Sequence, residues 1–262
     1  MIELRDLSRT YDDHVAVDHL SLTVAAGELL VLVGTSGCGK TTTLKMINRL
    51  VEPSSGTVWV DGENVAELPA HELRRRIGYG FQQVGLFPHW SVGENIGVVP
   101  RLCGWEPSRV ASRVDALLEL VRLAPADYRE RDPATLSGGQ RQRVGLARAL
   151  AAEPSVVLLD EPFGALDPLT RDHLQQELLR IRAELGLTIV FVTHDMGEAL
   201  LLGDRIAVLD AGRLVCVGTP QELLSSPGDP GVEALLATPR RQLERIDEIL
   251  GRSPASPPGE AS

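Results

Sequence analysis

The run Glu28-Leu29-Leu30-Val31-Leu32-Val33 is unbroken apolar after its first residue and opens directly into Gly34-Thr35-Ser36-Gly37-Cys38-Gly39-Lys40-Thr41. A short continuous apolar run of this kind is a strand covered on both faces, as in a parallel sheet. Lys40–Leu50 then carries helical spacing, closed by Pro53-Ser54-Ser55-Gly56. Strand, glycine-rich loop and helix in that order fit the spacing G-x-x-x-x-G-K-[ST] of a phosphate-binding loop. The glycines let backbone N–H groups turn inward around phosphate oxygens, and the helix N-terminus adds partial positive charge. Gly34, Thr35, Ser36, Gly37, Cys38, Gly39, Lys40, Thr41 and Thr42 are therefore candidate nucleotide-binding residues. Lys40 is expected on the β and γ phosphates, and the Thr41 hydroxyl on Mg²⁺. Lys40 and Lys45 are the only lysines in the chain, so Lys40 does not come from a lysine-rich background.

The flanking sequence sets this unit into a larger α/β layout. Ile2–Val24 alternates apolar and polar residues in two runs split by Tyr11-Asp12-Asp13, the pattern of an antiparallel pair, and Gly56–Val60 is a third such strand. Buried strands recur at Ser155–Asp160 and Thr188–Thr193, joined by the helical pattern of Leu169–Leu185. That alternation implies a parallel sheet with right-handed crossovers. From about Pro88 to Ala152 two helical patterns, Ser108–Leu123 and Ser137–Ala152, read as a helical insertion. Leu243, Ile246 and Leu250 form an apolar stripe expected to dock a last helix on the core, and the tail from Gly251 is too polar and proline-rich to pack.

Val156-Val157-Leu158-Leu159-Asp160-Glu161 ends a buried strand in two carboxylates, placing Asp160 beside the phosphate loop. Asp160 is a candidate Mg²⁺ ligand and Glu161 a candidate group for polarising an attacking water. Leu136-Ser137-Gly138-Gly139-Gln140 places Ser137 as the N-cap of a helix whose first N–H groups are left open to an anion by Gly138 and Gly139.

With that string in place, the chain resembles the ABC ATPase family over about Met1 to Leu236. The resemblance implies a P-loop NTPase core with a mainly parallel sheet, an N-terminal antiparallel β subdomain and an inserted α-helical subdomain. The corresponding segments are residues 1–87 and 153–236 for the core, 88–152 for the insertion, 237–250 for a C-terminal helix and 251–262 for a disordered tail. It further implies that Tyr11 stacks on adenine and that Gln82 senses Mg²⁺ and the attacking water. By the same resemblance Asp167, in Ala165-Leu166-Asp167, crosses a dimer interface, and His194 contacts the γ-phosphate. In the family, Ser137, Gly138, Gly139 and Gln140 face an ATP held by the other subunit, so hydrolysis needs a head-to-tail dimer, with itself or a related ATPase subunit, that sandwiches two ATP.

Asn48–Gly56, Gly85–His89 and Val98–Trp105 are similar to ATPase subunits of the quaternary-amine uptake systems, the glycine betaine, choline and carnitine importers. These segments are expected to line the sheet-helix junction and a groove for permease subunits, with an extracytoplasmic solute-binding protein as an indirect partner. Many such relatives carry a C-terminal pair of CBS domains, and regulation by them is not expected of this chain. Gly80 also departs from the bulkier apolar residue common before the glutamine loop. An importer for another solute, an exporter subunit, and a soluble ABC ATPase are the competing readings. The last usually has tandem ATPase domains or a long coiled-coil insertion, neither of which occurs in this sequence.

Composition narrows the field from the other side. The 262 residues are 43% hydrophobic, enough for a sizeable core, and carry a net charge of −10, which argues against nucleic acid as a partner. No apolar run approaches the roughly 18 to 20 residues needed to cross a bilayer, and Met1–Leu7 lacks a signal-peptide pattern. The chain is thus expected at the cytoplasmic face of the membrane, held through partners. Cys38, Cys103 and Cys216 are widely separated and form no CxxC pair.

Overall fold

The computed structural model describes residues 1–80, 84–164 and 166–249. The expectations for Gln82, Ala165, Leu250, the Ile246 side chain and the tail 251–262 lie outside what is described. In chain order the elements are β1 (Ile2–Tyr11), β2 (His14–Val24), β3 (Leu29–Gly34), α1 (Lys40–Ile47), β4 (Ser55–Val60), β5 (Glu63–Asn64), α2 (Ala70–Arg76) and β6 (Ile77–Gly80). Helices α3 (Val92–Leu102), α4 (Pro107–Leu120), α5 (Pro125–Tyr128) and α6 (Gly138–Leu150) follow. The chain then returns through β7 (Val156–Asp160), α7 (Pro168–Leu185), β8 (Thr188–Val192), α8 (Met196–Leu202), β9 (Arg205–Asp210), β10 (Arg213–Gly218), α9 (Pro220–Ser225) and α10 (Pro230–Ile249).

Two sheets organise these elements. One is antiparallel, in the order β2-β1-β4-β5, with Tyr11 opposite His14 at the tip of the hairpin expected from the sequence. The other runs β10-β9-β3-β8-β7-β6 and is parallel except for the β9–β10 pair. Every residue of β3 is buried, as the unbroken apolar run requires. Because side chains alternate along a strand, β3 feeds two cores. Leu29, Val31 and Val33 pack with Phe191, Leu174 and the inserted helices, while Leu30 and Leu32 pack with Leu44, Met46 and the antiparallel sheet.

Between β6 and β7 the described chain is helical, including α3, which had no separate sequence assignment and begins in a capping box between Ser91 and Glu94. Helix α1 stops at Ile47, short of Leu50, because Arg49 adopts φ 48°. The last helix corrects the expectation for the C-terminus. It starts at Pro230 rather than near 237, and it docks through Val232 and Leu236, both fully buried, whereas Leu243 is 61% exposed. Among the described residues no helix is long and apolar enough to cross a membrane.

Candidate nucleotide site

The phosphate loop leaves the carboxyl end of the central strand β3, and Glu161 and His194 follow the ends of β7 and β8. Three functional segments thus meet at one edge of the parallel sheet, where open α/β sheets bind ligands. The loop is locked from the side by the antiparallel sheet. Gly39 has φ 100°, and a Cβ there would overlap the carbonyl oxygen of Ala16 in β2, so only glycine fits.

Lys40 is buried and its Nζ donates to the carbonyl oxygens of Gly34 (2.8 Å) and Thr35 (2.9 Å). Its ammonium therefore already points into the curve of the loop. Cys38 Sγ lies 3.6 Å from the same Nζ, and the thiol is buried with the apolar core under the loop. The thiol is thus shielded from solvent beside the Lys40 ammonium.

The Thr41 hydroxyl donates to Asp160 Oδ1 at 2.9 Å. Asp160 is only 6% exposed, and burial pushes its carboxyl above the usual range, opposed by the Thr41 hydrogen bond. The next residue turns away sharply. Glu161 has φ 43°, and its N–H donates to the Val192 carbonyl at 2.9 Å, which takes the side chain off the strand direction. Its Oε1 comes to 3.3 Å from His194 Nδ1.

A cleft of about 510 Å³ is lined by Ser36 through Thr42 together with Glu161 and His194. The structure therefore gathers Ser36 to Thr42, Glu161 and His194 around one cleft, ties Gly34, Thr35 and Asp160 to it through Lys40 and Thr41, and leaves other candidates apart. Tyr11, Ser137 to Gln140 and Asp167 do not line this cleft. Tyr11 is partly exposed at the end of β1, with the Arg9 guanidinium 4.4 Å from its ring centroid. Ser137 caps α6 in a reciprocal box with Gln140, so one N–H of that helix end is already satisfied, and Gln140 also donates to the Tyr128 hydroxyl. Asp167 caps α7 through the Thr170 N–H at 3.0 Å, and that bond holds its carboxyl below the usual range.

A second concavity, of about 340 Å³, lies where the sheet meets the inserted helices, between Asn48, Leu50, Arg74 and Tyr79 on one wall and Phe87, Val98, Val99 and Leu102 on the other. Leu50, Phe87 and Leu102 are exposed there. The far wall is fastened to the helices: buried Asn95 accepts from the Phe87 N–H at 2.7 Å and donates to its carbonyl at 3.1 Å. Arg148 of α6 donates to the carbonyls of Val84 and Gly85. Arg74 of α2 donates to the carbonyls of Asn48 and Arg49 and fixes the end of α1.

Beneath the His194 turn is a buried polar group with no motif to announce it, formed by Glu198, Gln175 and Thr193. One sign was available in the sequence. Glu198 falls on the apolar stripe Met196, Ala199 and Leu202 of a helix, where a charge is out of place.

A family model described as "ABC transporter" matches residues 17–164. The glycine betaine/carnitine/choline transport ATP-binding protein OpuCA of Bacillus subtilis (strain 168) is 50% identical over 262 residues, covering 98% of this chain and 69% of that protein. The glycine betaine uptake system ATP-binding protein YehX of Escherichia coli (strain K12) is 53% identical over 229 residues, 87% of this chain and 74% of that protein. Among solved structures, the dimeric post-hydrolysis state of the ATP-binding cassette MJ0796 bound to ADP and Pi is similar at TM-score 0.76 and 33% identity, over 84% of this chain and 99% of that one.

Proposed function

This chain belongs to the ABC transporter family, as an ATP-hydrolysing cassette, and from that premise we propose that it powers a membrane importer of quaternary amines of the glycine betaine, choline and carnitine type. The observation that carries the chemical half of this reading is the single cleft shared by the phosphate loop, Glu161 and His194. The solute class is supported by what the similar proteins OpuCA and YehX are named for.

ATP seats its phosphates in the curve of Gly34 to Thr42, and Lys40 exchanges its two carbonyl partners for β- and γ-phosphate oxygens. Thr41 and Asp160 offer a hydroxyl and a carboxylate oxygen 2.9 Å apart, a pair of hard oxygen donors that suits Mg²⁺ sharing its shell with phosphates and water. When bound, that ion neutralises charge on the β and γ phosphates. Glu161 polarises the attacking water, and His194, 3.3 Å from it, contacts the γ-phosphate. Gln82, outside the described residues, completes this set by connecting the water to the permease side.

The helix end at Ser137, Gly138 and Gly139 lines no part of the chain's own cleft; following the family resemblance, we assign it to the ATP of a second subunit, with Asp167 at the interface and Tyr11 against adenine. The concavity rimmed by Leu50, Phe87 and Leu102 receives a permease subunit. The chain then works at the cytoplasmic face of the membrane through that partner.

The test is Glu161→Gln. It is expected to bind ATP, accumulate as an ATP-dependent dimer on size-exclusion chromatography, and lose about a hundred-fold or more in turnover. Wild-type turnover in that variant would remove Glu161 from the reaction. In the reassembled transporter, betaine, choline and carnitine are each added to test which raises ATPase activity, and stimulation by none of them discards the solute assignment.

A further inference from the structure

Glu198 is 7% exposed and faces no cation at hydrogen-bond distance among the described residues; its partners are neutral. Gln175 Nε2 of α7 donates to Glu198 Oε1 at 2.9 Å, and Thr193 lies beside the same carboxyl, the two lining one small cavity, and opposes the effect of its burial. Burial raises the Glu198 carboxyl above the usual range, with Asp195 pushing the same way and Arg171 opposing. A buried acid held this way is a costly choice if its only task is to fill space.

Its surroundings give it another task. The Thr193 hydroxyl accepts the Asp195 N–H at 3.1 Å, and Asp195 accepts the N–H groups of Gly197 (2.8 Å) and Glu198 (3.3 Å). His194 is therefore bracketed by two residues that are both tied to the start of α8. Glu198 in turn ties α8 to α7. A small cavity of about 30 Å³ touches Glu161, His194, Arg171 and Glu198, so the cluster borders the chemistry directly.

We propose that Glu198 is a positioning residue for the ATPase reaction, acting through Thr193 to hold the His194 imidazole against Glu161. This rests on the reading of the cleft as an ATPase site. With Glu198 in place, the turn carrying His194 is fixed from below by α7 and from the side by Asp195. Without it, His194 keeps its chemistry and loses its place.

The experiment is a double-mutant cycle on the full chain, measured as steady-state ATPase. Glu198→Ala is expected to lower kcat about ten-fold or more while leaving KM for ATP nearly unchanged, since misplacing a reacting group affects the chemical step. Glu198→Gln keeps an oxygen for Gln175 and is expected to recover most of that loss. In a His194→Ala background, Glu198→Ala is expected to cost nothing further, the signature of two residues acting as one unit. Thr193→Val, which keeps the shape and removes the hydroxyl, should show the same dependence on His194 and serves if Glu198→Ala folds poorly. Equal losses from Glu198→Ala with and without His194, or a Glu198→Gln variant as impaired as the alanine, overturn the proposal. A purified chain whose turnover is insensitive to Glu161→Gln overturns instead the ATPase reading beneath it.

Discussion

The Thr41 hydroxyl and the Asp160 carboxylate meet at 2.9 Å, joining the first turn of α1 to the end of β7 across the floor of the cleft. Because burial raises the Asp160 carboxyl above the usual range, the native chain holds its ionised form less favourably than the unfolded chain does. An acid with a raised native value favours folding at low pH, and that contribution is lost as pH rises through the native value. Asp160→Asn is therefore expected to raise the thermal midpoint of the nucleotide-free chain at neutral pH. It should also abolish the extra stabilisation by Mg²⁺ with ATP. Differential scanning fluorimetry with and without ligand reads both effects.

Gly39 cannot carry a Cβ, for want of space against Ala16 and because of its backbone angle. Gly39→Ala is expected to cost on the order of 1–3 kcal/mol in urea unfolding, and to weaken nucleotide binding, because the loop must shift off the antiparallel sheet. An unchanged urea midpoint would contradict the close contact.

Cys38 is buried while Cys103 is exposed. Maleimide followed by mass spectrometry should label Cys103 rapidly and Cys38 only slowly, and bound ATP should slow Cys38 further by holding the loop closed. Fast labelling of Cys38 in the native chain would mean that the thiol faces the cleft.

Arg148 supplies donors to two backbone carbonyls of the segment just after the glutamine loop, and burial lowers its pKa. Arg148→Met leaves those carbonyls without their donors and is expected to cost roughly 1–3 kcal/mol of stability. Faster hydrogen exchange of residues 84–87 in the variant would report the same loss locally.

The sequence carried the fold wherever pattern and chemistry coincided. β3 was visible because six buried positions need an apolar run, and the loop because its glycines have fixed spacing. The cleft followed from three strand ends on one edge of a parallel sheet. What stayed hidden depended on distance in the chain. Gln175 and Glu198 lie 23 residues apart, and nothing local in either marks the bond between them. The exposed end of α10 was misjudged for a related reason: Leu243 has helical spacing, but burial depends on what stands opposite, and the core contact is already made by Val232 and Leu236.

The two-sided burial of β3 also limits how this chain can vary. Inserting or deleting one residue there would exchange the occupants of the two cores and turn the loop end about the strand axis. Many single substitutions in β3 leave the parity of the strand intact, whereas a one-residue change in its length does not. Related chains should therefore differ freely in which aliphatic residue fills each position and hardly at all in the count from Leu29 to Lys40.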